Sequence, residues 1–296
     1  MSPRILITGP TGQVGSELLR SFAGAGELIP LTRDAADLAA PDHLRACVRD
    51  LRPDIILNPA AYTAVDKAES DAELAMRVNG DAPRVLAEEA KRAGALLVHY
   101  STDYVFDGSK QDPWTEQDAP NPLGVYGATK LAGEQAVEQT GGRYLIFRTS
   151  WVYGPHGKNF LFTMLRLARE RDRLTIVDDQ RGAPTTSIEL ARATRRILDG
   201  VLSGQFGDEG RWAGIYHMTC GGETSWCGFA RAIFERARGL QSKAFPEVTA
   251  IGTAEYPTPA RRPLNSRLSN RKLSEIFGVQ LATWEAALDE VMAELG

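Results

Sequence analysis

The chain has 296 residues, of which 43% are hydrophobic and 24% are charged, a composition typical of a globular protein with a sizeable core. A net charge of -4 provides no basic excess, which argues against nucleic acid and anionic membrane surfaces as partners. No apolar run reaches the roughly 18 residues that span a bilayer, and the cysteines form no C-x-x-C pair. These features favour a reducing cytoplasm over a disulfide or zinc framework.

The amino-terminal segment reads as a strand, a glycine-rich turn and a helix. The apolar run from Ile5 to Thr8 is followed by Gly9, Gly12 and Gly15, and a helical pattern of apolar residues follows. Glycines at this spacing let the backbone turn tightly and approach a pyrophosphate, whose oxygens bind the free N–H groups at the helix start. The sequence therefore predicts a dinucleotide site at this turn.

Apolar strands and helices then alternate regularly up to about residue 150. The later strands of this part are predicted at 28–31, 54–58, 95–100 and 144–149. Such alternation predicts an α/β fold, a doubly wound parallel sheet of Rossmann type with helices on both faces. We expect residues 1–150 to form the dinucleotide-binding domain, with strands near 174–177 and 214–218 rejoining it. Residues 151–296 are expected to form mainly a smaller, interleaved carboxyl-terminal substrate lobe.

Thr102, Tyr126 and Lys130 form a candidate catalytic set. Tyr126 and Lys130 lie four residues apart in a predicted helix, so their side chains share one face. An ammonium close to a phenol lowers the tyrosine pKa from its usual value near ~10, which suits proton exchange with a carbonyl or alcohol oxygen. Thr102 follows a buried strand, at the edge where α/β sheets bind ligands. The plain alternatives are a surface Tyr–Lys pair and a turn-capping threonine.

The end of the second strand bears on the choice of cofactor. An acidic residue there binds the adenosine ribose and favours NADH, whereas a nearby arginine accommodates the 2′-phosphate of NADPH. Here Thr32 and Arg33 end the strand, and Asp34 and Asp37 follow. We therefore expect NADPH to be used at least as well as NADH. The alternative is that an aspartate controls the pocket.

Several stretches together resemble one family. The glycine turn, Thr102, Tyr126-x-x-x-Lys130 and the small lobe resemble the extended short-chain dehydrogenase/reductase superfamily. Within that superfamily the chain resembles the dTDP-4-dehydrorhamnose reductases from the first strand nearly to the carboxyl terminus. The stretches that carry this resemblance are 11–15, 64–69, 100–106, 125–134, 147–153, 182–185 and 256–268.

The resemblance implies a reaction and a set of site residues. Hydride would pass from the nicotinamide to the C4 carbonyl of dTDP-4-dehydro-6-deoxy-L-mannose, and Tyr126 would donate the proton, giving dTDP-L-rhamnose. Lys130 would act with Tyr126 and bind the nicotinamide ribose, while Thr102, Asp103 and Trp151 would meet the sugar. The dinucleotide contacts implied by the resemblance are Gly12, Gln13, Val14, Asp37, Leu38, Ala61, Tyr62 and Thr63.

Arginines near the carboxyl terminus form a second candidate site. Guanidinium groups bind phosphates bidentately, and a sugar nucleotide carries a diphosphate that the cofactor turn does not reach. Arg261, Arg262 and Arg267 are therefore candidate substrate ligands, with Arg262 the first choice. A salt-bridged surface loop is the alternative.

Some members of the resembled family dimerise through a magnesium ion held by surface carboxylates, so a homodimer remains open here. Glu17 and Glu294 match such ligands, but the neighbourhood of Ile188 and Glu189 does not align with the family pattern. We therefore predict no metal site. The sequence favours solvated helix faces as the explanation of the two glutamates.

Two other functions stay open. The first is a different nucleotide-sugar reductase or epimerase of the same superfamily. A dehydratase would need an extra acidic pair beside Thr102, where this chain has Asp103 followed by Tyr104. The second is a non-catalytic regulatory subunit that binds the dinucleotide without turning it over. The retained Tyr126 and Lys130 argue against that second function.

Overall fold

A parallel six-stranded sheet lies at the centre of the computed structural model, which describes residues 2–238 and 245–295. Its strands are β1 (Arg4–Thr8), β2 (Glu27–Leu31), β3 (Ile55–Asn58), β4 (Leu96–Thr102), β5 (Arg143–Thr149) and β10 (Gly214–His217). They lie in the order β10-β5-β4-β3-β1-β2, with every neighbouring pair parallel. Because the strand order reverses between β1 and β3, the ligand crevice is expected at the carboxyl ends of these strands.

Helices cover both faces of this sheet. The helices are α1 (Gln13–Ser21), α2 (Pro41–Leu51), α3 (Val65–Ala68), α4 (Ala72–Met76), α5 (Ala82–Ala93), α6 (Val125–Thr140), α7 (Phe160–Glu170), α8 (Ser187–Leu202), α9 (Glu209–Trp212), α10 (Trp226–Arg236), α11 (Arg271–Phe277) and α12 (Trp284–Leu295). Ile5 and Ile7 of β1 pack with Leu18 of α1 on one face, and Leu6 packs with Leu44 of α2 on the other. The predicted doubly wound α/β fold is confirmed.

The carboxyl-terminal half contributes a further apolar core and short strand pairs. The remaining strands are β6 (Val152–Tyr153), β7 (Arg173–Val177), β8 (Arg181–Gly182), β9 (Thr185–Thr186), β11 (Thr224–Ser225) and β12 (Glu247–Ile251). They form the pairs β6–β9, β8–β11 and β7–β12. Side chains of α7, α10 and α12 enclose a core of their own beside these pairs. Among the helices of the described ranges, none has the length and apolarity that crossing a membrane requires.

The expectation that the strand near 174–177 rejoins the central sheet is wrong. Strand β7 pairs in parallel with β12, a segment for which the sequence predicts no strand. Arg173 and Thr175 are exposed while Leu174 and Ile176 are buried, so this strand has one solvent face. Central parallel strands are buried on both faces, and β7 therefore suits an outlying two-stranded sheet. Strand β10, in contrast, lies beside β5 in the central sheet.

The helical segment that follows β3 is interrupted. It forms α3 and α4, and a π-helical turn follows at Arg77–Asp81. The Asn79 side chain in this turn accepts a hydrogen bond from the Tyr62 backbone N–H at 2.8 Å and donates one to the Tyr62 carbonyl at 3.1 Å. π turns occur frequently at functional sites. This one fixes the backbone of the segment that follows β3.

A buried ion pair fixes α6 to β5. The Arg148 Nη2 donates to Glu134 Oε2 at 2.6 Å, and the two side chains are 3% and 1% exposed. The same guanidinium lies over the Phe106 ring, 5.1 Å from its centre. Glu134 is one turn beyond Lys130, so this pair holds the helix that carries the candidate catalytic residues.

Removing one member of this pair leaves the other charge buried alone. Glu134→Ala is expected to lower the free energy of unfolding by about 3–5 kcal/mol, measured by urea denaturation. The matched control is Glu170→Ala, which removes the carboxylate of the exposed Arg166–Glu170 pair and is expected to cost far less. Similar losses in the two variants would show that the buried pair does not anchor α6.

Candidate active site

The ends of β4 and β5 meet the start of α6. Thr102, the last residue of β4, is in register with Thr149 of β5, and its hydroxyl makes a hydrogen bond with the Tyr126 phenol. Tyr126 lies in the first turn of α6 and Lys130 in the next. Gly127 permits the close approach, because a Cβ there would lie 2.2 Å from the Tyr104 carbonyl oxygen. The structure thus brings the three predicted catalytic residues to one sheet edge.

The Tyr126 phenol is protonated at neutral pH. Desolvation of the partly buried side chain raises its pKa to about 12, although the hydrogen bond with Thr102 lowers it. The Tyr104 ring packs edge-on against it, with ring centres 5.5 Å apart. The expected lowering of the Tyr126 pKa by Lys130 is therefore wrong for this structure, since desolvation dominates. A phenol that keeps its proton is nevertheless the form that a proton donor needs.

The Lys130 side chain is buried and turned toward β4. Its Nζ donates to the Tyr100 carbonyl at 2.6 Å and lies 3.3 Å from His99 Nε2. Burial lowers the pKa of Lys130 to about 8. Burial and the nearby lysine also hold the pKa of His99 well below its usual range, so the imidazole is neutral. The lysine consequently remains mostly charged at neutral pH but close to its titration point.

A row of buried polar side chains continues from this lysine across the sheet. The Asn58 Nδ2 lies 3.0 Å from His99 Nδ1, and the Thr8 hydroxyl donates to Asn58 Oδ1 at 2.7 Å. Thr8, Asn58 and His99 occupy neighbouring strands β1, β3 and β4, and each is buried. The row therefore joins the lysine to the strand that leads into the glycine turn.

Asp103 is a buried carboxyl beside the tyrosine. Burial raises its pKa to about 7, against hydrogen bonds from Ser266 and Thr102 that lower it. The Thr102 hydroxyl donates to Asp103 Oδ1 at 3.1 Å. Ser266 belongs to the carboxyl-terminal stretch that contains the candidate arginines, but the sequence predicts no role for Ser266 itself. Its contact with Asp103 forms only in the folded chain.

The glycine turn has the geometry that a dinucleotide phosphate site requires. Gly9 adopts a φ of +53°, and the Gly12 N–H donates to its carbonyl at 3.0 Å. A Cβ on Gly15 would lie 2.1 Å from the Gly9 oxygen, so only glycine fits. No side chain caps the start of α1, which leaves the backbone N–H groups at Gln13 and Val14 facing outward. The turn therefore fits the pyrophosphate of a dinucleotide.

The residues predicted at the adenosine side lie at the end of β2. Arg33 is 79% exposed, and its Nη2 donates to Asp37 Oδ2 at 3.3 Å. The other Asp37 oxygen accepts the Ala39 N–H at 2.9 Å. Thr32 is exposed, and Leu38 is partly buried against the core under α2. Arg33 and Asp37 are thus paired with each other where the 2′ end of an adenosine ribose is expected.

Ala61, Tyr62 and Thr63 follow β3 at the same edge. Besides the two backbone contacts of Tyr62 with Asn79, the Tyr62 hydroxyl donates to Asp71 Oδ2 at 3.0 Å. The Asn79 Nδ2 also donates to Thr129 Oγ1 at 3.2 Å, on the helix that carries Lys130. The sequence assigns no role to Asn79, because its contacts with Tyr62 and Thr129 form only in the folded chain.

Arg262 is bound to Asp66, a carboxylate of α3. Its Nη1 and Nη2 donate to Asp66 Oδ1 and Oδ2, each at 2.9 Å, and Nη1 donates to the Ala260 carbonyl at 3.1 Å. Arg267 binds Glu223 instead at 2.7 Å, and Arg261 is exposed. The three predicted arginines are therefore separated.

Arg262 also lies on the rim of a cavity of about 360 Å³ in the carboxyl-terminal half. The walls are mainly apolar and aromatic, with Phe160, Met164, Leu174, Val177, Trp226 and Tyr256 among them. Trp151 lies near this cavity after the end of β5, and its indole stacks on Trp226 with ring centres 3.8 Å apart. The cavity therefore offers an apolar space beside the Arg262 guanidinium.

The carboxylates considered for a metal ion are engaged by arginine. Arg20 contacts Glu17 Oε2 at 2.7 Å and Glu294 Oε1 at 3.4 Å. Within residues 2–238 and 245–295, no group of three or more His, Cys, Asp or Glu side chains is arranged to hold a metal ion.

Comparison with known proteins connects this geometry to a family. The family described as RmlD substrate binding domain matches residues 3–296. A dTDP-4-dehydrorhamnose reductase of Burkholderia thailandensis is 50% identical over 99% of each chain. A crystal structure of a dTDP-4-dehydrorhamnose reductase from Clostridium acetobutylicum superposes with a TM-score of 0.90, at 38% identity over 99% of each chain.

A second solved structure carries the cofactor. It is the dTDP-4-dehydrorhamnose reductase of Bacillus anthracis in complex with NADP, with a TM-score of 0.89 and 34% identity over 99% of this chain and 100% of that one. These relatives cover nearly the whole length, from the glycine turn to the last helix. The chain belongs to the RmlD family, the family of the dTDP-4-dehydrorhamnose reductases.

Proposed function

We propose that this protein reduces the C4 keto group of dTDP-4-dehydro-6-deoxy-L-mannose to a hydroxyl, giving dTDP-L-rhamnose, with NADPH or NADH as the reductant. The observation that carries this proposal is the protonated Tyr126, held by Thr102 at the sheet edge that also presents the glycine turn. Family membership over the full chain supports the same substrate.

Bound NADPH supplies the hydride, and the protein supplies the proton and its position. The Tyr126 phenol holds its proton at neutral pH, because its pKa is raised to about 12. As negative charge develops on the keto oxygen, the phenol donates that proton, and the Thr102 hydroxyl orients the phenol. Lys130, one helical turn away, is turned toward the Tyr100 carbonyl and would bind the nicotinamide ribose. Desolvation of the site strengthens the hydrogen bonds that the phenol makes.

The cofactor is expected to lie along the carboxyl ends of β1, β2 and β3. The uncapped start of α1 binds its phosphates, and Arg33 offers a charge to a 2′-phosphate. Arg33 is paired with Asp37, so binding NADPH exchanges one anionic partner for another. The NADP found in the Bacillus anthracis relative supports the same preference. We therefore propose that NADPH is used at least as well as NADH.

The sugar nucleotide is placed between Tyr126 and the apolar cavity. Arg262 would bind the diphosphate, releasing Asp66, because bidentate guanidinium contacts suit phosphate as well as carboxylate. Asp103 and Thr102 would contact the sugar hydroxyls. Trp151 would offer its indole face to the 6-methyl group, which has no hydroxyl to satisfy.

We also propose a cytoplasmic location and a homodimeric assembly. Cys47, Cys220 and Cys227 are free thiols, as expected in a reducing compartment. The proposal of a dimer is based on the dimerisation of some family members. Sedimentation equilibrium would measure the mass of the assembly. A monomer at working concentrations would remove that part of the proposal.

Turnover with both cofactors tests the reaction. The purified protein is expected to oxidise NADPH when the keto sugar is added, with kcat/KM for NADPH at least equal to that for NADH.

Arg33→Ala is expected to lower the ratio of kcat/KM for NADPH to kcat/KM for NADH about tenfold, since one exposed charge contact is lost. The control is Arg84→Ala, an exposed arginine on α5. Absence of turnover would favour the regulatory-subunit alternative, and an unchanged ratio would mean that Arg33 does not contact the 2′-phosphate and that an aspartate controls the pocket.

The proton donor is tested by removing one oxygen atom. Tyr126→Phe is expected to bind NADPH normally but to lose turnover by a factor on the order of 10² or more, as general-acid contributions imply. Lys130→Met is expected to lose cofactor affinity as well. Fluorescence titration gives the affinity and the initial rate gives kcat. A folded Tyr126→Phe protein with a near-normal rate would overturn the assignment.

Adjacent arginines test the diphosphate contact. Arg262→Ala is expected to raise KM for the keto sugar roughly ten- to a hundredfold and to leave KM for NADPH unchanged. Arg261→Ala is the matched control, because the Arg261 side chain is exposed and lies outside the cavity lining. If both variants keep the native KM for the sugar, Arg262 serves only to bind Asp66.

A further inference from the structure

Trp151 has an unusual backbone conformation for a bulky residue. Its φ is +49°, in the left-handed region that side chains other than glycine rarely adopt. Arg52 shares a positive φ in the described ranges, but it ends α2, where left-handed residues are common. Trp151 ends no helix. It follows β5, two residues after Thr149. Strain of this kind persists only when the surroundings impose it, and it concentrates at functional sites.

The surroundings of the Trp151 indole explain how that conformation is held. The ring is stacked on Trp226 with centres 3.8 Å apart and planes 14° from parallel. Gly182 lies against the same ring, since a Cβ at this position would be 2.6 Å from it. The Trp151 carbonyl accepts the Thr185 N–H at 3.3 Å. The indole can therefore leave its place only if the stack opens.

Trp226 is itself rigidly placed from the carboxyl-terminal half. It is the first residue of α10, whose start is capped by Ser225 Oγ accepting the Gly228 N–H at 2.9 Å. Its Nε1 donates to Gln180 Oε1 at 3.1 Å, and the Phe160 ring lies 4.7 Å from its own. Trp226 also lines the apolar cavity. The stack thus joins the wall of that cavity to the end of β5.

We infer that Trp226 is a positioning residue that holds Trp151 in its left-handed conformation at the sugar site. Because Trp226 also lines the cavity, the cavity wall thereby fixes the side chain that meets the sugar. This inference rests on the proposed function, because Trp151 is the residue that meets the sugar. Without the second indole, the Trp151 backbone is released to an ordinary negative φ and its ring turns away from the site. The cofactor turn lies on other strands and is not affected.

Circular dichroism and kinetics together test the inference. Two stacked indoles couple their transitions and produce an exciton couplet, which the native protein is expected to show. Trp151→Phe and Trp226→Phe are each expected to abolish it. Trp212→Phe, which changes a buried indole outside the stack, is expected to keep it. A couplet that persists unchanged in Trp151→Phe and Trp226→Phe would show that these two indoles are not coupled and would overturn the inference.

Steady-state constants report the positioning role. Trp226→Leu is expected to raise KM for the keto sugar about tenfold while KM for NADPH stays within about twofold. Trp226→Phe keeps an aromatic face and is expected to recover most of the native KM. Equal rises in both KM values, or a native sugar KM with only a lower melting temperature, would reduce Trp226 to a packing residue. A native protein that does not turn over the keto sugar would instead overturn the proposed function, and the inference with it.

Discussion

Desolvation at the carboxyl end of β4 is the constraint on which the site depends. It raises the pKa of Tyr126 to about 12 and that of Asp103 to about 7, and it lowers the pKa of Lys130 to about 8. Each shift favours the neutral form of its group, as removal from water requires. The tyrosine thereby keeps the proton that a reduction consumes. The lysine keeps its charge at neutral pH by a small margin, aided by the negative charge of Glu134.

Such a desolvated site needs a rigid frame, and the frame comes from distant parts of the chain. The Arg148–Glu134 pair fixes α6 to β5, and Asn79 ties the segment after β3 to the same helix. Ser266 reaches Asp103 from the carboxyl-terminal loop. Because the surrounding charges and amides are paired, the buried groups of the candidate catalytic set stay in place and do not move toward water.

The two arginines proposed to bind phosphates are paired in a different way. Arg33 with Asp37 and Arg262 with Asp66 are partly exposed, and each guanidinium lies where a phosphate of the cofactor or substrate is expected. An exposed carboxylate is a weak competitor for a guanidinium, since water solvates both when they separate. A phosphate of higher charge can therefore replace the carboxylate. The carboxylates keep the arginines in place until then, which reduces the side-chain ordering that binding requires.

By itself the sequence determined the local features of this protein. The glycine spacing, the alternation of apolar strands with helices, and the four-residue spacing of Tyr126 and Lys130 depend only on neighbouring residues, and the structure contains each of them. The full-length resemblance identified the family for the same reason, because its motifs are short and local. The strand at Arg173–Val177 was misplaced because apolar residues alone do not reveal which partner strand they meet.

Only the tertiary structure decided the properties that arise between distant segments. The pKa of Tyr126 depends on how much water the fold excludes, and no spacing in the sequence measures that. Asn79 donates a hydrogen bond to Thr129, which lies 50 positions along the chain. Trp226 stacks on the distant Trp151, whose backbone adopts a left-handed conformation. Pairing of Arg262 with Asp66 likewise spans most of the chain. The physical reason is common to all three: the free energy of burial and of paired charges belongs to contacts, and contacts form only when the chain is folded.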